Sequence, residues 1–141
     1  ALIIYSILAF NRQGVWMSEE KLFLNAGECA PESVLSLSNA GTVYYFRGEY
    51  DKAAEKLERS MAIKPIYSKG LNNLGLVYWK MGRNREAEKL YHDALVQKYP
   101  YGGALENLVL LYLSEEDFDS ALRWLRIMYP NADDSALRNR F

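Results

Sequence analysis

Tyr44, Tyr78 and Tyr112 stand 34 residues apart, and so do Ala53, Ala87 and Ala121, and Asn39, Asn73 and Asn107. Gly41 and Gly75 keep the same interval, as do Gly48 and Gly82. Self-similarity at such a period marks a chain of supersecondary units, each too small to bury its apolar face except against a neighbour. The period therefore excludes one irregular globular core. It also moves the functional question from a single reactive residue to the surface that the array presents. The 141 residues hold about four periods of this length.

Within each period two segments carry helical spacing. The first has apolar or small residues at i, i+3, i+4 and i+7: Leu37, Ala40, Gly41 and Tyr44; Leu71, Leu74, Gly75 and Tyr78; Leu105, Leu108, Val109 and Tyr112. The second segments carry Tyr50, Ala53, Leu57 and Met61; Ala87, Tyr91, Ala94 and Leu95; and Phe118, Ala121, Leu125 and Met128. Short turns separate them at Arg47-Gly48-Glu49, Met81-Gly82-Arg83 and Glu115-Glu116-Asp117. Glycine suits a helix end that needs a left-handed residue. The third turn lacks glycine, so a strained or differently shaped turn is expected there. Pro65, Pro100 and Pro130 fall near the ends of the second helices, where proline stops a helix.

These residues resemble the tetratricopeptide repeat (TPR) family, whose pattern runs apolar, Leu-Gly, Tyr, a turn Gly, an aromatic, Ala, a bulky residue, Ala and Pro. The second unit matches it through Leu71, Leu74-Gly75, Tyr78, Gly82, Ala87, Tyr91 and Ala94, with Pro100 one position late. The first matches through Leu37, Gly41, Tyr44, Gly48, Tyr50, Ala53, Leu57 and Pro65, with Ser60 in place of the second alanine. The third departs at Val109, Glu116 and Met128. The resemblance implies an all-α fold, a right-handed TPR superhelix (α-solenoid) of antiparallel helix pairs. Its expected organisation is a degenerate or truncated first repeat over 1–33, full repeats over 34–67, 68–101 and 102–135, and the start of a capping helix over 136–141. One period before the first full unit the register meets Phe10, Gly14, Trp16, Phe23, Ala26 and Pro31, which fit, and Glu19, which places a carboxylate where a small buried alanine belongs.

Composition excludes several function classes. A net charge of −1, with lysines and arginines spread along the chain, gives no basic patch for nucleic acid. One cysteine, Cys29, and one histidine, His92, cannot assemble an internal disulfide or a metal site built on those residues. Neither has the partners of a nucleophile or a base, and no phosphate-binding glycine loop is present. The acidic pairs Glu115-Glu116 and Asp133-Asp134 read as solvated turn charges. No catalytic residue, metal or cofactor is expected.

A second stripe on the first helices is offset from the core. It holds Leu35, Ser38, Asn39, Thr42, Tyr45 and Phe46; then Lys69, Asn72, Asn73, Leu76, Trp79 and Lys80; then Gly103, Glu106, Asn107, Leu110, Leu113 and Ser114. In TPR arrays the corresponding face lines a concave groove that receives an extended peptide or a partner helix. The resemblance therefore implies a protein or peptide ligand held by Asn39, Thr42, Tyr45, Phe46, Lys69, Asn72, Asn73, Leu76, Trp79, Lys80, Glu106, Asn107 and Leu110. The asparagine column has two readings. Its amides can pair with a ligand's backbone, or they can tie each helix to its neighbour. The chaperone-tail clamp of the family, built from lysines, arginine and asparagines, is not reproduced: Leu35, Ser38, Thr42, Gly103 and Glu106 stand where such groups are required.

The N-terminal run Ala1–Phe10 is almost wholly apolar but is shorter than the roughly 20 residues of a membrane-spanning helix. It is read either as a buried repeat helix or as the end of a transmembrane helix. Asn11-Arg12, Trp16, Ser18-Glu19-Glu20 and Phe23 then resemble the junction between the last transmembrane helix and the TPR units of O-mannosyltransferase-like membrane glycosyltransferases. That likeness implies a periplasmic or extracytoplasmic accessory domain, attached to a membrane through sequence upstream of Ala1, that presents acceptor protein. A cytoplasmic scaffold and a self-associating structural array, a homo-oligomer, are the other readings.

Overall fold

The structure, a computed structural model, describes residues 19–26, 29, 33–97 and 101–130. Every regular element among them is an α-helix. Residues 19–26 are helical and are labelled α1. There follow α2 (Val34–Phe46), α3 (Tyr50–Ile63), α4 (Ser68–Lys80), α5 (Asn84–Leu95), α6 (Gly103–Ser114) and α7 (Phe118–Met128). This is the all-α helical repeat expected from the period. The apolar run 1–10, the rest of the junction over 11–18, Pro31, Pro100, Asp133-Asp134 and the expected capping segment lie outside the described residues.

The chain divides into two compact units, Ala1–Ile63 and Lys64–Phe141. In the first, α2 packs against α3. In the second, α4 packs against α5, α6 packs against both, and α7 closes on α6.

What brings α2 against α3, and α4 against α5, is a notch without a side chain. A Cβ placed on Gly41 would lie 2.6 Å from Leu57 Cγ, and one on Gly75 would lie 2.6 Å from Tyr91 Cε1. Both distances are far inside van der Waals contact, so the second-helix side chain occupies the space that a methyl group would take. Leu57 and Tyr91 are fully buried as a result. The alanine column supports the same approach: Ala53, Ala87 and Ala121 are all buried with almost no exposure. Ser60, which replaces an alanine, is also buried, and its hydroxyl donates to the Val34 carbonyl at 2.9 Å. The hydrogen bond removes the cost of placing a hydroxyl there.

Several side chains of the expected apolar stripes are less covered than their spacing implies. Tyr44, Tyr50, Met61, Tyr78, Leu95, Leu105 and Met128 are half-buried. Phe118 is 59% exposed because it opens the first turn of α7, before the helix has packed.

All three turns share one shape. In each, the residue after the left-handed position donates its N–H to the carbonyl of the tyrosine column: Glu49 to Tyr44, Arg83 to Tyr78 and Asp117 to Tyr112, all at 2.9 Å. The left-handed residue donates three positions back, from Gly48 to Tyr45, Gly82 to Trp79 and Glu116 to Leu113. This is the Schellman arrangement, which satisfies carbonyls that the helix end leaves without partners. Gly48 and Gly82 reach φ 75° without strain, whereas Glu116 is held at φ 61° with a full side chain. Of the two expectations for the third turn, strain is the one observed. Asp117 then starts α7, its carboxylate accepting from the Ser120 N–H at 3.1 Å.

Relief of that strain is measurable. Glu116→Gly should raise the urea midpoint, with a gain of about 1 kcal/mol after the entropy of the added glycine is deducted. An unchanged or lower midpoint would show that the strain at Glu116 does not exceed the entropic cost of glycine.

Candidate interaction surface

In the first unit the offset stripe of α2 is only partly covered. Asn39, Thr42 and Tyr45 are half-buried, and Phe46 is 80% exposed. Thr42 donates its hydroxyl to the Ser38 carbonyl one turn back, at 2.9 Å. Tyr45 meets Phe46 edge-on with ring centroids 5.4 Å apart, and it lies 5.9 Å from Tyr50. Burial, and then the neighbouring Tyr50, pushes the Tyr45 phenol above its ordinary value, so it stays a neutral hydroxyl at physiological pH.

Asn39, Thr42 and Phe46 come together with Val43 of α2, with Arg47 just past its end and with Glu19, Glu20 and Phe23 of α1 around a cleft of about 470 Å³. Arg47 Nε donates to Glu20 Oε1, and its guanidinium also lies 3.7 Å from Glu49. Glu19 is exposed, not buried in the alanine column as its register implied. That position therefore carries no unpaired buried charge.

In the second unit the stripe runs along α4 and α6. Lys69, Lys80 and Glu106 are exposed, Leu110 is 47% exposed, and Asn73, Leu76, Trp79 and Asn107 are half-buried. The Lys80 ammonium lies 5.5 Å from the centre of the Trp79 ring, within cation–π range. Asn72 differs from the rest, at 3% exposure. Its Oδ1 accepts from Asn107 Nδ2 at 2.8 Å, and its own Nδ2 donates to Asn73 Oδ1 at 3.4 Å. The amides thus form a clasp between α4 and α6. Asn72 is a support for this face and not an open contact on it.

A second polar tie lies between α5 and α6. Tyr112 donates its hydroxyl to Glu88 Oε1 at 2.5 Å, while His92, one turn beyond Glu88, lies 5.1 Å from the Trp124 ring. Burial first, and then the hydrogen bond to Glu88, pushes the Tyr112 phenol up to about 12. At the start of α5, Arg83 grips Glu86 through two hydrogen bonds of 2.7 and 2.5 Å and lies 3.7 Å from the centre of the Tyr78 ring. That pairing raises the Arg83 pKa and lowers that of Glu86. Lys52 holds Glu49 down in the same way at the start of α3.

Glu19, Glu20, Phe23, Val43 and Arg47 are the cleft residues that helical spacing did not select. Phe23 carried a signal, since it stands one period before Leu57, but nothing in the pattern indicated that α1 would leave a cleft beside α2. Among the described residues no three histidine, cysteine or acidic side chains could hold a metal ion, and no helix is long and apolar enough to cross a membrane.

Two family models match the chain, one described as TPR repeat over residues 41–82 and one as tetratricopeptide repeat over residues 72–136. No curated protein matches it. Among solved structures, the Sgt2 TPR domain from Aspergillus fumigatus is 25% identical with a TM-score of 0.65, covering 89% of this chain and 81% of that one. MamA is 24% identical with a TM-score of 0.62, covering 67% of this chain and 55% of its own, so the chain spans about half of that protein. The first TPR of Spaghetti, bound to the HSP90 peptide SRMEEVD, is 16% identical with a TM-score of 0.64, covering 77% of this chain and 86% of that one.

The Tyr112 tie has a pH signature. A phenol that ionises less readily in the folded state stabilises that state only while protonated. Its contribution is complete below the ordinary value of 10 and fades as pH climbs through about 12. Unfolding free energy should therefore fall by roughly 2 kcal/mol more in the wild type than in Tyr112→Phe across that window. Parallel profiles for the two proteins would show that burial and the Glu88 bond do not raise the Tyr112 phenol.

Proposed function

Because the chain belongs to the tetratricopeptide repeat family, we propose that it is a protein- and peptide-binding scaffold with no catalysis of its own. The observation that carries this reading is the α4–α6 face. There the Asn107–Asn72 hydrogen bond fixes two helices beneath exposed Lys69, Lys80, Glu106 and Leu110 and half-buried Trp79. A face whose supporting amides are already bonded loses little conformational freedom when a ligand arrives, which is how preorganisation raises affinity. Trp79 supplies the rigid aromatic anchor, and Lys80 beside its ring supplies charge.

The ligand differs in kind from the acidic tail on the Spaghetti TPR. Leu35 is 60% exposed, Ser38 is buried, and the Thr42 hydroxyl is bonded within its own helix. None offers a cation for a terminal carboxylate. SRMEEVD should bind no better than its scrambled sequence.

The reading is tested with peptides selected on the purified protein from a random displayed library. Asn73→Ala combined with Trp79→Ala should weaken the best peptide at least tenfold. The melting curve should keep a single transition, because both side chains are only half-buried. Unchanged affinity in a folded double variant would contradict the assignment of this face.

A further inference from the structure

The cleft between α1 and α2 has a chemical bias of its own. Its lining holds two carboxylates, Glu19 and Glu20, and one guanidinium, that of Arg47. The guanidinium is occupied by Glu20 and lies 3.7 Å from Glu49, so its charge is offset from within the unit. Glu19 makes no ion pair among the described residues and leaves the opening negative. The apolar part comes from Phe23, Val43 and Phe46. Phe46 is 80% exposed, an unusual position for a large aromatic, and edge-on contact with Tyr45 steadies its ring. At about 470 Å³ the cleft falls within the roughly 300–1,000 Å³ of pockets that take small ligands or anchoring side chains.

We propose that this cleft receives a peptide segment in which an apolar side chain is adjacent to a lysine or arginine. The apolar group covers Phe23, Val43 and Phe46, and the cation pairs with Glu19 while lying against the Phe46 ring. Asn39 offers an amide to the segment's backbone. The attraction has two sources, a carboxylate and an aromatic face, and both select a cation. An acidic segment meets Glu19 and Glu20 and is repelled. The proposal rests on the reading of the α2 stripe as a peptide-binding face, and it supplies that face with a ligand class.

The test uses a positional-scanning library of N-acetylated, C-amidated peptides on the full chain. Lysine or arginine should be enriched beside an aromatic or aliphatic residue. Glu19→Lys should weaken the best cationic peptide about fivefold, the scale of one partly exposed ion pair. Phe46→Ala should weaken it about tenfold. Both side chains are exposed, so both variants should melt as the wild type does. Peptides that depend on Asn73 and Trp79, show no cationic preference and ignore Glu19→Lys would overturn this proposal and leave the broader reading standing. Capture of no peptide at all would overturn both. A concentration-dependent dimer abolished by Phe46→Ala would assign the cleft to a second copy and overturn the proposal as well.

Discussion

The absence of a side chain at Gly41 and Gly75 is the constraint on which the first two helix pairs, α2–α3 and α4–α5, depend. Leu57 and Tyr91 enter those notches so closely that a methyl group would displace them. Each intrusion does two things: it buries a large side chain completely, and it sets the separation of the helices that carry it. The alanines at 53 and 87 and the hydrogen-bonded Ser60 then fill out a contact whose spacing the glycines have already decided. Val109 keeps the register in α6 with a side chain and is nevertheless buried. The rule is therefore complementarity between a notch and its opposing residue, not glycine for its own sake.

Once the pairs are closed, the tyrosine column terminates the first helices. The carbonyls of Tyr44, Tyr78 and Tyr112 each accept the N–H that reverses the chain. The same residues each meet a neighbouring polar side chain: Lys52 of α3 approaches the Tyr44 ring, Arg83 ahead of α5 covers the Tyr78 ring, and Tyr112 bonds back to Glu88 of α5. A single column thus serves as helix stop and as attachment point. This leaves the opposite stripe of each first helix available, with the Asn72–Asn107 clasp steadying it in the second unit.

The columns that recur at one interval were legible in the chain because repeated packing demands repeated residue types. Leu37, Leu74, Ala53, Ala87 and Tyr91 are buried where helical spacing places them. Spacing could not reveal that Asn72 is buried while its neighbour Asn73 is half-buried, because that depends on how α6 approaches α4. The shape of the third turn was open for a similar reason. A glutamate tolerates the left-handed conformation only when surrounding hydrogen bonds impose it, and those bonds come from the helix end as a whole. The α1–α2 cleft was least legible. It depends on Glu19, which the register assigned to a buried column, standing exposed beside Phe23 and Phe46.

The notch is tested most directly by copying the third unit's pair into the second. Val109 and Leu125 stand one period after Gly75 and Tyr91. Gly75→Val alone should destabilise the chain by about 1–3 kcal/mol, since the new side chain meets the Tyr91 ring. Adding Tyr91→Leu should make room and restore a large part of that loss, with a coupling of at least 0.5 kcal/mol between the two sites. Strictly additive effects, or a Gly75→Val variant as stable as the wild type, would contradict the claim that the glycine notch sets the helix pair.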